Sequence, residues 1–143
     1  MELKFCKTLP DAVLPSRAHP EDAGLDLTPV SIVKNLSASV VLYDTGLAVA
    51  PEEGYHTEIV PRSSSSKIGV SLANNVGIID RLYRGNLLLA IRFHESIVAP
   101  ESLLGARACQ LIVRKTHIAE PVWVDNLDDT VRGSGGFGSS GNK

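Results

Sequence analysis

The sequence predicts an all-β protein, a sandwich or barrel, on three observations. Short apolar runs recur along the chain, proline or glycine interrupts them at close intervals, and the spacing leaves no room for long amphipathic helices. The chain has 143 residues, 43% of them hydrophobic, enough to bury one core, so a single domain is expected.

The strands follow in order. "ELKFCKTL" (2–9) stops at Pro10, and "SIVKNL" (31–36) begins after Pro29. "VVLYDTGLAV" (40–49) runs to Pro51, and "YHTEIV" (55–60) lies between Gly54 and Pro61. "GVSLAN" (69–74), "NLLLAIRFH" (86–94), "CQLIVRK" (109–115) and "PVWVDN" (121–126) complete the set, each opening at or just past a Gly or Pro or set off by one. The one helical turn expected follows Pro61, where "PRSSSSK" supplies a proline and hydroxyls of the kind found at helix starts. No internal repeat is visible. The only biased segment is the glycine and serine tail after "VDNLDD".

Composition narrows the partners. A formal charge of -2 argues against a surface built for nucleic-acid backbones, while a few local arginines remain able to hold a small polyanion. Cys6 and Cys109 are far apart and carry no metal-ligand spacing, so neither a disulfide framework nor a zinc site is expected. The start "MELKFCKTLPDAVLP" has no long apolar run and no cleavage site, which leads to an expectation of an intracellular protein, cytoplasmic or nuclear, with no membrane span.

Five polar or glycine-rich islands interrupt the β pattern: "AGLDL" (23–27), "PRSSSSK" (61–67), "NNVGIIDRLYRG" (74–85), "GARACQL" (105–111) and "RGSGGFGSSG" (132–141). Taken singly, each has a plain structural explanation. Asp80 in "VGIIDRLY" reads as a turn-capping carboxylate or as a proton acceptor; Tyr83 as packing; Asp26 as a strand-edge carboxylate; Gln110 as strand surface. Arg62, Ser63 and Ser64 read as a loop, or as a turn whose N–H groups, hydroxyls and guanidinium suit phosphate oxygens. The tail reads as a linker, or as a strap that a ligand orders.

Together and in this order, the islands resemble the five motifs of the trimeric dUTPase family across most of the chain. The resemblance implies a dUTPase-like β-barrel of jelly-roll type over residues 1–128, with a flexible C-terminal arm, 129–143, closing over the site. It also implies hydrolysis of dUTP to dUMP and pyrophosphate by Mg²⁺-assisted attack of water on the α-phosphorus. That activity keeps uracil out of DNA and supplies dUMP for dTMP synthesis. By the same resemblance Asp80 activates the water, and Tyr83 lies against the deoxyribose and excludes a 2′-hydroxyl. The backbone around Asn74, Gly77, Ile78 and Ile79, placed in one hairpin, pairs with uracil. Arg62, Ser63, Ser64 and Gln110 hold phosphates, and Asp26 orients water around Mg²⁺. In the arm, Phe137 stacks on uracil, Arg132 meets the γ-phosphate, and Gly138, Ser139 and Ser140 close on the phosphate chain. A homotrimer with shared sites is implied, from a cellular or viral source. Ser64 replaces the glycine usual in the second motif, Ser140 stands where threonine is frequent, and Arg107 reads as structural.

Other classes fit less well. The dCTP deaminases share the fold, but the glutamate they use, seven residues beyond the motif-three aromatic, falls here on Ala90. A zinc deaminase lacks its cysteine pair, and "SSSS" lies in no G-x-S-x-G elbow. A nucleotide sensor on the same scaffold is a further class, which an intact Asp80 disfavours as the sole role.

Overall fold

The computed structural model describes residues 1–94 and 99–136. The strands are β1 (Lys4–Lys7), β2 (Leu25–Leu27), β3 (Ser31–Ser37), β4 (Val40–Asp44), β5 (Leu47–Ala50), β6 (Tyr55–Pro61), β7 (Val70–Leu72), β8 (Gly77–Ile79), β9 (Leu88–Phe93) and β10 (Cys109–Lys115). They form an antiparallel pair, β1-β5, and two four-stranded antiparallel sheets ordered β2-β10-β6-β8 and β3-β4-β9-β7. The expected all-β class is what the chain adopts.

Alternation explains the packing. Leu25 and Leu27 on β2, Thr57 and Ile59 on β6, and Cys109 and Leu111 on β10 are buried, and the residue between each pair faces the other way. Across the core, Val41 and Tyr43 of β4 and Leu89 and Ile91 of β9 complete one apolar cluster. The Tyr43 hydroxyl donates to the Pro100 carbonyl at 2.8 Å. Burial, with a smaller contribution from Glu101, pushes its pKa up to about 12. Burial alone does the same for the Cys109 thiol, also up to about 12, so this cysteine packs as a neutral apolar group.

The expected single run 40–49 is two strands, because Gly46 adopts φ +66° and breaks β4 from β5. The helical turn, α1 (Ser65–Ile68), forms four positions beyond Pro61; Arg62 to Ser64 make the preceding turn, with Ser65 N–H donating to the Arg62 carbonyl at 3.0 Å. A 3₁₀ turn at Pro100–Leu103 was not expected. "PVWVDN", expected as a strand, is not one: no strand follows β10 among the described residues, and Trp123 is fully exposed. Valine and tryptophan favour strands only where a neighbour covers them, and this segment pairs with no strand among the described residues. No helix among the described residues is long and apolar enough to cross a membrane.

Candidate active site

Strand register assembles the first half of the site. Asp26 on β2 and Gln110 on β10 are cross-strand partners, each between buried neighbours, so alternation turns both to the opposite face together. On the other side of β10, β6 ends with Pro61 opposite Cys109 and hands the chain to Arg62. Arg62 Nε lies 2.8 Å from Asp26 Oδ1, and Arg107 Nη1 lies 3.1 Å from Asp26 Oδ2. Arg62 also donates through Nη1 to the Arg107 carbonyl at 3.1 Å, and Gln110 Nε2 donates to the Pro61 carbonyl at 3.0 Å.

Asp26, Arg62 and Gln110 border a cleft of about 270 Å³ that Asp22, Gly24 and Ser63 also line. Gly24 is required there: a β-carbon on it would collide with the Gln110 side-chain amide. Ser64 is half-buried beside Arg62, whose Nη1 approaches its hydroxyl at 3.5 Å, and Ser63 is exposed. Arg62 brings guanidinium donors, the kind of group that holds phosphate oxygens, to a wall that also carries the carboxylates of Asp22 and Asp26; Arg107 pairs with Asp26 from outside the lining.

The second half lies elsewhere. β8 pairs with β6 so that Gly77 faces Ile59 and Ile79 faces Thr57. Asp80 follows and is exposed, since Ile78 turns outward and Ile79 is half-buried. Its carboxylate has no hydrogen-bond or ion-pair partner among the described residues. Tyr83 closes a turn with its N–H donating to the Asp80 carbonyl at 3.0 Å, and its hydroxyl donates to the Asn86 carbonyl at 3.1 Å. Ile78, Ile79, Asp80, Tyr83, Asn86 and Leu88 line a cleft of about 230 Å³. Asn86 and Leu88 were missed in the sequence, although Asn86 directly follows Gly85 of the third island.

The expected single hairpin holding Asn74, Gly77, Ile78 and Ile79 is corrected by the pairing: β7 joins β9, and β8 joins β6 in the other sheet. Val70 and Leu72 bury against one layer and Gly77 against Ile59 in the other, so the chain crosses between sheets at Asn74–Val76. Asn75 has φ 60° in that turn, and Asn74 is exposed with its amide near Gly77.

The two halves are separated in one chain. The β8 register places Asp80 level with His56, and both border one larger cavity. Arg62 is six positions further along β6, about 20 Å at a rise of ~3.4 Å per residue. Arg132 is exposed, donates through Nε to the Gly135 carbonyl at 3.0 Å, and lines neither cleft. Phe137, Gly138, Ser139 and Ser140 lie outside the described residues. Among the described residues no three metal-ligating side chains cluster.

Fold and site together define an all-β protein with an arginine and two aspartates at one cleft and an aspartate, unpaired among the described residues, beside a tyrosine at another. A dUTPase family profile matches residues 11–141. The deoxyuridine 5′-triphosphate nucleotidohydrolase of Nocardia farcinica is 40% identical over 133 residues, 92% of this chain and 81% of that protein. That of Solanum lycopersicum is 42% identical over 132 residues, 92% and 76% of the two chains. The Staphylococcus bacteriophage 80alpha dUTPase with dUpNHpp superposes with TM-score 0.81 at 27% identity over 98% of each chain. The phage phi11 dUTPase, described with a structural Mg(II) ion, shares the fold at 22% identity, with TM-score 0.73 over 90% of this chain and 100% of that one. The chain belongs to the dUTPase family.

Proposed function

We infer that this chain is a dUTP diphosphatase, hydrolysing dUTP to dUMP and pyrophosphate, with Asp80 as the base that activates water toward the α-phosphorus. The observation that carries the assignment of Asp80 is its unpaired, exposed carboxylate beside Tyr83 in a cleft of its own. A carboxylate without a partner is free to accept a proton, and a positioned base contributes roughly 10²–10⁴-fold. Tyr83 packs against the sugar and leaves no space for a 2′-hydroxyl. Extended backbone from Gly77 to Ile79, with Asn74 at its entry, suits the alternating donors and acceptors of uracil.

Arg62, Ser63, Ser64 and Gln110 hold the phosphates and spread the charge that develops on them. Mg²⁺ fits this cleft in the water-mediated manner: Asp26, with Asp22 also at the wall, would orient its waters, and a triphosphate would supply phosphate oxygens. When bound it neutralises phosphate charge. Arg132, Phe137, Gly138, Ser139 and Ser140 belong to an arm, 129–143, that closes on the nucleotide; stacking on Phe137 contributes about 1–3 kcal/mol.

The assembly that follows is a homotrimer with shared sites. Two observations support it: the ~20 Å between Asp80 and Arg62 exceeds what one nucleotide's reacting centre spans within one chain, and the segment after β10 exposes Ile118, Val122, Trp123 and Leu127. Apolar residues in series on one segment mark a surface that another chain covers. The products place the enzyme where it removes dUTP from the DNA precursor pool and supplies dUMP for dTMP synthesis, in the cytoplasm or nucleus. The test is pyrophosphate release from dUTP, dTTP, dCTP and UTP, with magnesium withheld in one arm. Rapid release from dUTP alone, and only with the metal, is expected; similar rates on all four overturn the assignment.

A further inference from the structure

Two neighbours in its own turn border the ring of Tyr83, and one of them is fixed from outside that turn. Gly85 gives it room: a β-carbon there would collide with the ring's Cζ and hydroxyl. The Tyr83 hydroxyl then donates to the Asn86 carbonyl at 3.1 Å. That carbonyl is itself aimed by its neighbour. The peptide between Asn86 and Leu87 is planar, and the Leu87 N–H donates to the Leu47 carbonyl at 2.7 Å, which directs the Asn86 oxygen the opposite way, toward Tyr83.

The other end of Asn86 is fixed by a partner 42 positions away. Its Nδ2 donates to Asp44 Oδ2 at 2.7 Å, and the second oxygen of Asp44 accepts the Gly46 N–H, also at 2.7 Å. Both carboxylate oxygens are therefore in use, and both residues are half-buried. The short distance marks a charge-assisted bond, stronger than a neutral one.

We propose that Asp44 and Asn86 form a brace that positions Tyr83 and thereby sets the preference for deoxyribose over ribose. This rests on the assignment of Tyr83 to the sugar face. Steric rejection needs a ring that cannot retreat: a 2′-hydroxyl is excluded only if moving Tyr83 costs more than accommodating it. Asp44 and Asn86 touch no reacting atom; they are positioning residues that resist that retreat.

The experiment compares kcat/KM for dUTP and UTP in Tyr83→Ala, Asp44→Asn, Asn86→Asp and the double variant carrying both of the last two. Asn86→Asp sets a carboxylate against a carboxylate and loses the bond, whereas Asp44→Asn removes the charge and leaves at best a neutral amide-to-amide bond with the Asn86 amide turned over. The pair restores the charge-assisted bond reversed, with Asn at 44 accepting from Gly46 through oxygen and donating to Asp at 86. Asn86→Asp is expected to lower the dUTP-over-UTP ratio roughly tenfold, the loss of one charge-assisted hydrogen bond, and Asp44→Asn to lower it by less, because a neutral amide pair can remain. The double variant is expected to recover most of the ratio. A merely structural pair would change melting temperature while leaving the ratio at the wild-type value; that outcome overturns the brace if Tyr83→Ala still lowers the ratio. If Tyr83→Ala leaves the ratio unchanged, the sugar assignment itself fails and the brace with it.

Discussion

The two clefts solve opposite problems with the same kind of residue. Asp26 is engaged at both oxygens by arginines, on a strand whose register is set by buried leucines on either side. Asp80 stands just past a three-residue strand, exposed, with its carboxylate unpaired among the described residues. An aspartate whose two oxygens both bond arginines has little left to offer a substrate water, whereas an unpaired one has both oxygens free to accept from it. On the proposed function the ordered cleft binds and the open one activates water, so two carboxylates of equal composition are not interchangeable.

The largest expected effect breaks the open side. Asp80→Asn keeps size and most polarity but removes the acceptor, so kcat is expected to fall by roughly 10²–10⁴-fold while KM changes little. A steady-state assay of pyrophosphate release checks this, and a large rise in KM with unchanged kcat would move Asp80 to the binding side of the comparison. The next effect tests whether the two clefts belong to different copies. Asp80→Asn and Arg62→Ala variants are each expected to be nearly inactive alone. Unfolded together and reassembled at equal ratio, copies of a cyclic trimer pair at random, and half times half, about one quarter of the sites, then combine an intact Asp80 with an intact Arg62. Activity recovering to about that fraction supports shared sites; no recovery means that each chain uses its own pair.

How much of this was legible differs between the same two regions. The Gln110 side was readable because "CQL" opens an expected strand whose polar member faces away from the core, whereas β2 under Asp26 was not among the expected strands and Asp26 was marked only through the island "AGLDL". The open half was legible as a motif and not as a shape. Which strand β7 or β8 would join depends on burial of Val70, Leu72 and Gly77 against different layers, information that no window of neighbouring residues contains. The Asp44 and Asn86 contact was invisible for the same reason, spanning 42 positions. "PVWVDN" failed in the reverse sense: its propensity was read correctly, but propensity forms no strand without a partner to pair with.

A smaller effect probes how rigid the ordered cleft is. Gly24→Ala pushes a methyl into the Gln110 amide, which must leave its bond to the Pro61 carbonyl or displace β2. A Gln110 amide turned out of its place is expected to raise KM for dUTP while leaving kcat less affected. An unchanged KM would mean that Gln110 carries no phosphate.

The smallest effect separates the two arginines that share Asp26. Their geometry is similar, 2.8 and 3.1 Å, yet Arg107 is 57% exposed and Arg62 25%. Exposed ion pairs contribute little because water screens them and the long side chain must be ordered, whereas a more buried guanidinium aimed into the cleft keeps its field. Arg107 also supplies a backbone carbonyl to Arg62, and that acceptor survives any change of side chain. Arg107→Ala is therefore expected to lower kcat/KM by less than about fivefold, consistent with ~1 kcal/mol or less, while Arg62→Ala removes a phosphate ligand and lowers it by far more. Adding salt sharpens the test: the residual effect of Arg107→Ala should shrink further as ionic strength rises, and that of Arg62→Ala should persist. Equal losses from the two substitutions would place Arg107 on the substrate as well, making the ordered cleft a two-arginine clamp.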